Sequence, residues 1–381
     1  MPEMNYVNES FTESMAVRSF QLLEKLQWEQ EINKAIADAD PLAVDSSLCT
    51  LPLLNEQTRV EVIREYLALA LAKVQKHIKE NFVQASAAIR DICMFAASLM
   101  RYDIEPADCV PGFSRALIDL SGAVKSSLPR DSFIDYTSRN PKGERERRFT
   151  SRLEEGIFID SLRRGMASLD ACLQELMQAC CYPLNQSNFA DHCSAAAYNF
   201  QVMIDAIVQV KRGITTEVFT HSIRPFFEPF KVEGQAYSAP SGAEMSILNI
   251  DLILWGADCK DEIYMPYVQA NIVRLPMVYQ EICQLFMGQK SLMTSIGERL
   301  SSGRELCEHE RNSIQALHSL VTKMYSFRMP HYKVVEDNVK LRLKETGGEV
   351  KGSSGFGIDE VKYVLEQTMK SRQQLSQILS A

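Results

Sequence analysis

A chain of 381 residues, 46% hydrophobic and 24% charged, can build one large domain or two ordinary ones, and its usage excludes a disordered or fibrous protein. The formal net charge of −8 argues against a broad nucleic-acid-binding face, which needs excess Lys and Arg. No apolar run is expected to reach the ~18 residues of a membrane span, Met1–Asn5 lacks the basic and apolar regions of a secretory signal, and ten cysteines without a CxxC pair read as reduced thiols. The expectation is a cytoplasmic protein with neither nucleic acid nor membrane as partner.

Taken in chain order, the pattern is helical. Apolar residues at Val60, Ile63, Leu67, Leu71, Val74 and Ile78 form a 3.6-residue stripe over 59–79. Similar stripes run over 157–177, 195–210, 267–286, 314–325 and 358–379. Period-2 alternation is scarce, so the fold class is all-α. Three stretches interrupt the helices. Residues 131–152 hold Asn140-Pro141-Lys142-Gly143 and a charged run, the mark of a loop or domain junction. Residues 225–242 hold three prolines and two glycines. The Gly-rich run 345–357 reads either as a linker or as a mobile loop that closes over a ligand. The division that follows is a smaller N-terminal helical domain, 1–130, a junction loop, 131–152, and a larger helical domain, 153–381.

None of the six histidines forms an HExxH or HxH pair. His77 and His309 sit among charged residues and read as solvated, His318 reads as a core histidine, and His192 and His221 stay ambiguous. His331 stands apart. It follows Arg328-Met329-Pro330, and proline suits the first turn of a helix, so His331 is expected near a helix start beside an apolar face. Asp251 lies within Ile247–Leu254, where a carboxylate needs a partner.

Four segments, in order, resemble the haem-containing indoleamine/tryptophan 2,3-dioxygenase superfamily. They are Gly156–Ser161; Phe219–Arg224 with Pro225–Phe230; Pro240–Ser246 running into Asp251–Leu254; and Arg328–His331 followed by Thr346–Gly348 and Gly352–Gly355. The Arg-Pro-Phe-Phe and Pro-Ser-Gly-Ala wording is most similar to the monodechloroaminopyrrolnitrin synthase branch. The likeness spans Tyr136 to Tyr363 and treats the first ~130 residues only as a generic helical domain.

The resemblance implies haem b in the larger domain, with His331 as axial iron ligand. Arg328 takes the place of an arginine that meets a haem propionate and an aspartate, here Asp251. Ser241 and Gly242 match the segment lining the distal pocket. Arg224 matches the arginine that grips the substrate carboxylate, and Phe219 an aromatic packed on the indole. Five residues turn about 500° on an α-helix, so those two need not share a face. Tyr136, Ile157 and Phe158 are further expected around the substrate, and Thr346 and Gly347 in a loop that closes over its amine. Ser161 takes a distal position and supplies no strong base there. Three departures, Glu345 before Thr346, Glu244 for a glutamine and Ile157 for a phenylalanine, bear on the substrate rather than on haem.

The activity implied is haem-dependent oxidation of a tryptophan-like amino acid by O₂. Rearrangement of the indole in specialised metabolism is favoured over ring opening to N-formylkynurenine. A non-enzymatic haem sensor or helical scaffold is the rival, and it has no need of Arg224 beside a Gly-rich loop. The sequence leaves the oligomeric state open.

Overall fold

The computed structural model describes residues 13–126, 128–346 and 358–380. The described residues are all-α apart from one short hairpin, as the periodicity requires. The N-terminal helices are α1 (Glu13–Asp38), α2 (Asp45–Glu56), α3 (Val60–Ala72), α4 (Lys76–Lys79), α5 (Phe82–Met100), α6 (Pro106–Cys109) and α7 (Phe113–Ala123). The stripe over 59–79 is broken between α3 and α4. Helix α5 starts where the Asn81 side chain accepts the Gln84 N–H at 3.0 Å. It also corrects the membrane expectation. Its 19 residues, at mean hydropathy 1.3, are long and apolar enough to span a bilayer, but 83% of that window is buried inside the protein. Arg90 and Asp91 at its centre are both buried and hydrogen-bonded to each other, so α5 is a core helix.

The segment after α7 reads as a loop in the sequence, yet it runs through the interior. It forms α8 (Phe133–Tyr136) and a 3₁₀ turn at Gly143–Arg145. Arg130, Arg139 and Arg147 are buried there. Arg139 donates to Asn33 at 2.7 Å, Glu29 at 3.1 Å and Asp135 at 3.2 Å. Arg147 donates to Asp91 at 3.1 Å and Asp45 at 2.5 Å. Charge clusters like this read as solvated until partners from distant segments are known.

The remaining helices are α9 (Leu153–Ala179), α10 (Ser187–Gly213), α11 (Thr216–Val218), α12 (Ile247–Asp251), α13 (Tyr264–Ile272), α14 (Met277–Phe286), α15 (Leu292–Ser301), α16 (Glu308–Thr346) and α17 (Ile358–Ser380). α10 packs between α9 and α16, and α16 carries α17. The stripe over 267–286 splits into α13 and α14 just before Pro276–Met277, where a proline restricts its predecessor. Between α11 and α12 lie the strands β1 (Phe230–Val232) and β2 (Gln235–Tyr237), antiparallel with Phe230 opposite Tyr237. Their turn, Glu233-Gly234, has positive φ at both residues, which glycine relieves at the second.

Pro330 is not at a helix start. It lies inside the 39-residue α16, where it leaves the Ser326 carbonyl without its i+4 donor. An interior proline costs about 3 kcal/mol. The buried face of Ile314, Leu317, Val321, Met324 and Phe327 offsets that cost and carries the helix through.

Two apolar cores interleave along the chain. One joins Leu22 and Leu26 of α1 to α9, α10 and α16; the other joins α2–α7 to Ile223, Phe226 and Phe230.

Candidate functional site

A cavity of about 440 Å³ opens among α9, α10, α16, α17 and the segments 214–227 and 240–251. Its walls are largely apolar, with Phe158, Leu162, Met203, Ile207, Phe219 and Val364 among the lining residues. The size and character suit a small-molecule or cofactor site.

His331 lines this cavity from α16. The Phe327 ring, one helical turn earlier, stacks on it at 5.5 Å and 10°. Burial, helped by the Arg328 charge, pushes the imidazole down to about 4. It is therefore neutral at physiological pH, the form that binds a metal. Arg328 also lines the cavity and reaches Asp251 at 2.7 and 2.5 Å, one guanidinium nitrogen bonding both carboxylate oxygens. Thr368 of α17 accepts from the same guanidinium. Burial raises the Asp251 carboxyl, and Arg328 opposes that rise. The Asp251 run is thus satisfied by the partner it needed.

Phe219 and Arg224 line the cavity from the segment after α11, and local geometry brings them together. Phe219–Ile223 is a π-helical turn, in which the Arg224 N–H donates to the Phe219 carbonyl five residues back. The wider turn puts both side chains on the cavity wall, whereas α-helical spacing gave no reason for it. The Phe219 ring lies 5.4 Å from Phe158. The Arg224 guanidinium donates to the Phe227 carbonyl and to Glu228, the latter at 3.1 Å. Next to Phe219, the Thr220 hydroxyl donates to Asn338 of α16 at 2.6 Å, which ties the segment to that helix.

Ser241 and Gly242 line the same space. Ser241 caps the turn that follows: its hydroxyl accepts the Glu244 N–H, and the Glu244 carboxylate accepts the Ser241 N–H at 3.3 Å. A Cβ on Gly242 would meet nothing within 4 Å, so the glycine enlarges the cavity rather than relieving a clash. Glu244 anchors this segment. It accepts from the Phe133 N–H at 2.6 Å and from Arg274 at 2.8 Å, while Arg274 also holds the Ala239 carbonyl at 2.6 Å. Burial pushes Glu244 up to about 7 against the pull of Arg274.

Phe158 lines the cavity, but Ile157, Ser161 and Tyr136 do not. On α9, Phe158 and Leu162 are four residues apart and face inward; Ile157 and Ser161 are offset from them by about 100°. Ile157 packs on Gly213, where an added Cβ would meet it at 3.0 Å. Ser161 is fully buried and its hydroxyl is unpaired among the described residues. Tyr136 stands one layer back. It donates to Glu155 at 2.9 Å, and its ring packs at 5.1 Å from Phe227 and 6.4 Å from Phe158, both of which line the cavity. Thr346 is the last residue of α16, and Gly347 lies outside the described residues, as does the run through Gly357.

Sequence reading missed Tyr267, the Thr220–Asn338 bond and the Glu244–Arg274 clamp, which together shape the walls. Ser241-Gly242-Ala243-Glu244 does carry the Ser-x-x-Glu spacing that signals such an anchor. Nothing in the sequence marks Arg274. Among the described residues there is no cluster of three or more His, Cys, Asp or Glu that could hold a metal. A single neutral imidazole on an apolar wall is instead the donor set for an iron whose other ligands come from a porphyrin. The residues present fit that group.

A family model, monodechloroaminopyrrolnitrin synthase PrnB, matches residues 23–348. The match covers well over half of the chain, and the chain belongs to that family. It is an enzyme of the haem-dependent oxygenase type, with an indole amino acid and O₂ as its small-molecule substrates.

Proposed function

We propose that this member of the monodechloroaminopyrrolnitrin synthase family holds haem b in the cavity through His331 and rearranges the indole of a tryptophan-like amino acid in specialised metabolism. One observation carries the reading: the neutral His331 imidazole and the Phe219–Arg224 pair line the same apolar cavity. The haem would supply the iron that binds O₂ and oxidises the electron-rich ring. His331 would hold the iron, and the Arg328–Asp251 pair would set a guanidinium beside a haem propionate.

The chain's own residues do the orienting. Glu228 and the Phe227 carbonyl aim the Arg224 guanidinium, which takes the substrate carboxylate. Phe158 and Phe219 flank the indole and exclude water. Among the described residues His331 is the one histidine lining the cavity, so no second imidazole is placed to take the indole N–H proton.

The test is the absorption spectrum of the purified protein after haem addition, followed by mass spectrometry of products from tryptophan and its chlorinated forms with reductant and O₂. A Soret band, a spectral response to these amino acids and a rearranged indole product are expected. No Soret band removes the reading; N-formylkynurenine as sole product replaces rearrangement by ring opening.

A further inference from the structure

One line of aromatic side chains leads away from the cavity wall. Tyr267 lines the cavity near the Arg328–Asp251 pair. Its ring lies 6.3 Å from Tyr264, which is buried. Tyr264 in turn lies 4.5 Å from Trp255 and 6.1 Å from Tyr363 of α17. The Tyr363 hydroxyl is 3.9 Å from the Cys259 sulfur and also hydrogen-bonds Asp261. Tyr363 and Cys259 are both partly exposed. The chain of contacts therefore runs from cavity wall to protein surface.

The packing around Tyr264 is specific. An added Cβ on Gly256 would meet the Tyr264 hydroxyl at 2.6 Å, so glycine is needed where the π-helical turn Leu252–Gly256 passes that ring. The hydroxyl itself has no hydrogen-bond partner among the described residues. A phenylalanine would fill this place without burying an unpaired O–H. What tyrosine adds is an easily oxidised ring.

We propose that Tyr267, Tyr264, Tyr363 and Cys259 form a path by which an oxidising equivalent leaves the cavity for the surface. The inference rests on the haem reading above. With haem bound and oxidised by peroxide in the absence of substrate, Tyr363 would give up one electron by way of Tyr264 and Tyr267. The Tyr363 O–H bond breaks, its proton goes to the Asp261 carboxylate, and a neutral tyrosyl radical remains. The Cys259 thiol then gives a hydrogen atom to the tyrosyl oxygen. The resulting thiyl radical is reduced from solution by a one-electron reductant such as ascorbate. The path spares the cavity walls from oxidation when no indole is present to consume the equivalent.

The experiment treats the haem-loaded protein with hydrogen peroxide and a nitrone spin trap, without substrate, and maps the adducts by mass spectrometry. Adducts on Cys259 and Tyr363 are expected, absent from haem-free protein. Tyr264→Phe breaks no hydrogen bond and keeps the ring, so the Soret band persists while those adducts are lost and peroxide bleaches the haem faster. Cys259→Ser, at the partly exposed end, moves the adduct onto Tyr363. A Soret band with unchanged adducts in Tyr264→Phe overturns the path alone. Absence of any Soret band in the parent protein overturns the haem reading and the path with it.

Discussion

The junction over 130–155 and the cavity both bury polar groups, but only the cavity turns one of them, the His331 imidazole, toward open space. In the junction each buried charge meets its complement. Glu155 alone accepts from Tyr136, from the Phe149 and Thr150 N–H groups and from the Thr150 hydroxyl, at 2.7–2.9 Å. Arg90 and Arg147 share Asp91, and Arg130 donates to the Tyr237 carbonyl while lying 4.3 Å over the Phe230 ring. The cavity pairs Arg328 with Asp251 but leaves the neutral His331 imidazole facing open space. Saturated charges specify how segments meet; an imidazole that faces open space is free to take a ligand. The junction is thus built for stability and the cavity for binding, and substitutions should separate the two.

The largest effect is expected in the junction. Arg147→Met leaves Asp91 buried with less compensation, and breaking such a pair costs ~3–5 kcal/mol. The measurement is the urea midpoint, and a stability within ~0.5 kcal/mol of the parent, the range of neutral surface changes, would show that the network carries no fold energy. His331→Ala should do the reverse: the Soret band is lost after haem addition, while the haem-free protein unfolds with an unchanged urea midpoint. Retained ligation there would reassign the axial residue.

Smaller still, Arg224→Ala should keep the Soret band and weaken amino-acid binding by ~1.5–3 kcal/mol, the range for a charge-assisted hydrogen bond. Spectral titration with tryptophan reads this directly, and indole without its carboxylate should bind the two proteins alike. Equal affinity for tryptophan would remove Arg224 from the substrate site.

Per pH unit the smallest effect is a slope in stability, at most ~1.4 kcal/mol for each titrating carboxyl. Burial raises the Asp170 carboxyl to about 7, against hydrogen bonds from Ser246 and Tyr279 that lower it. A carboxyl raised on folding makes the folded state bind more protons between its unfolded value, about 4, and its folded one. Stability therefore falls as pH rises through that window, and Glu244, also raised to about 7, adds to the slope. Asp170→Asn should flatten the decline in a series of urea melts. An identical slope would show that Asp170 does not titrate on unfolding.

Much of the cavity's frame was legible. The 3.6-residue stripes placed α9, α10, α16 and α17, and the apolar run around Asp251 announced a buried carboxylate in need of a cation. The order of the four family-like segments pointed to His331 and Arg224. Other features were not legible for particular reasons. Pro330 reads as a helix start because local propensity cannot register the core that carries α16 through it. Phe158 and Ile157 are neighbours in sequence, yet only the packing direction of α9 decides which of them faces the cavity. The π-helical turn at Phe219–Ile223 has no composition that distinguishes it from an α-turn.

By itself the sequence determined the helical class, the stripes that bury one face of each helix and the residue types able to hold an iron and a carboxylate. These follow from periodicity and side-chain chemistry, which are local. Only the tertiary structure decided that Arg328 meets Asp251, that Arg139 and Arg147 lie inside, and that Arg224 shares a wall with Phe219. Such outcomes depend on partners far apart in the chain, or on one extra residue in a turn, and a buried charge is stable only where those partners arrive together.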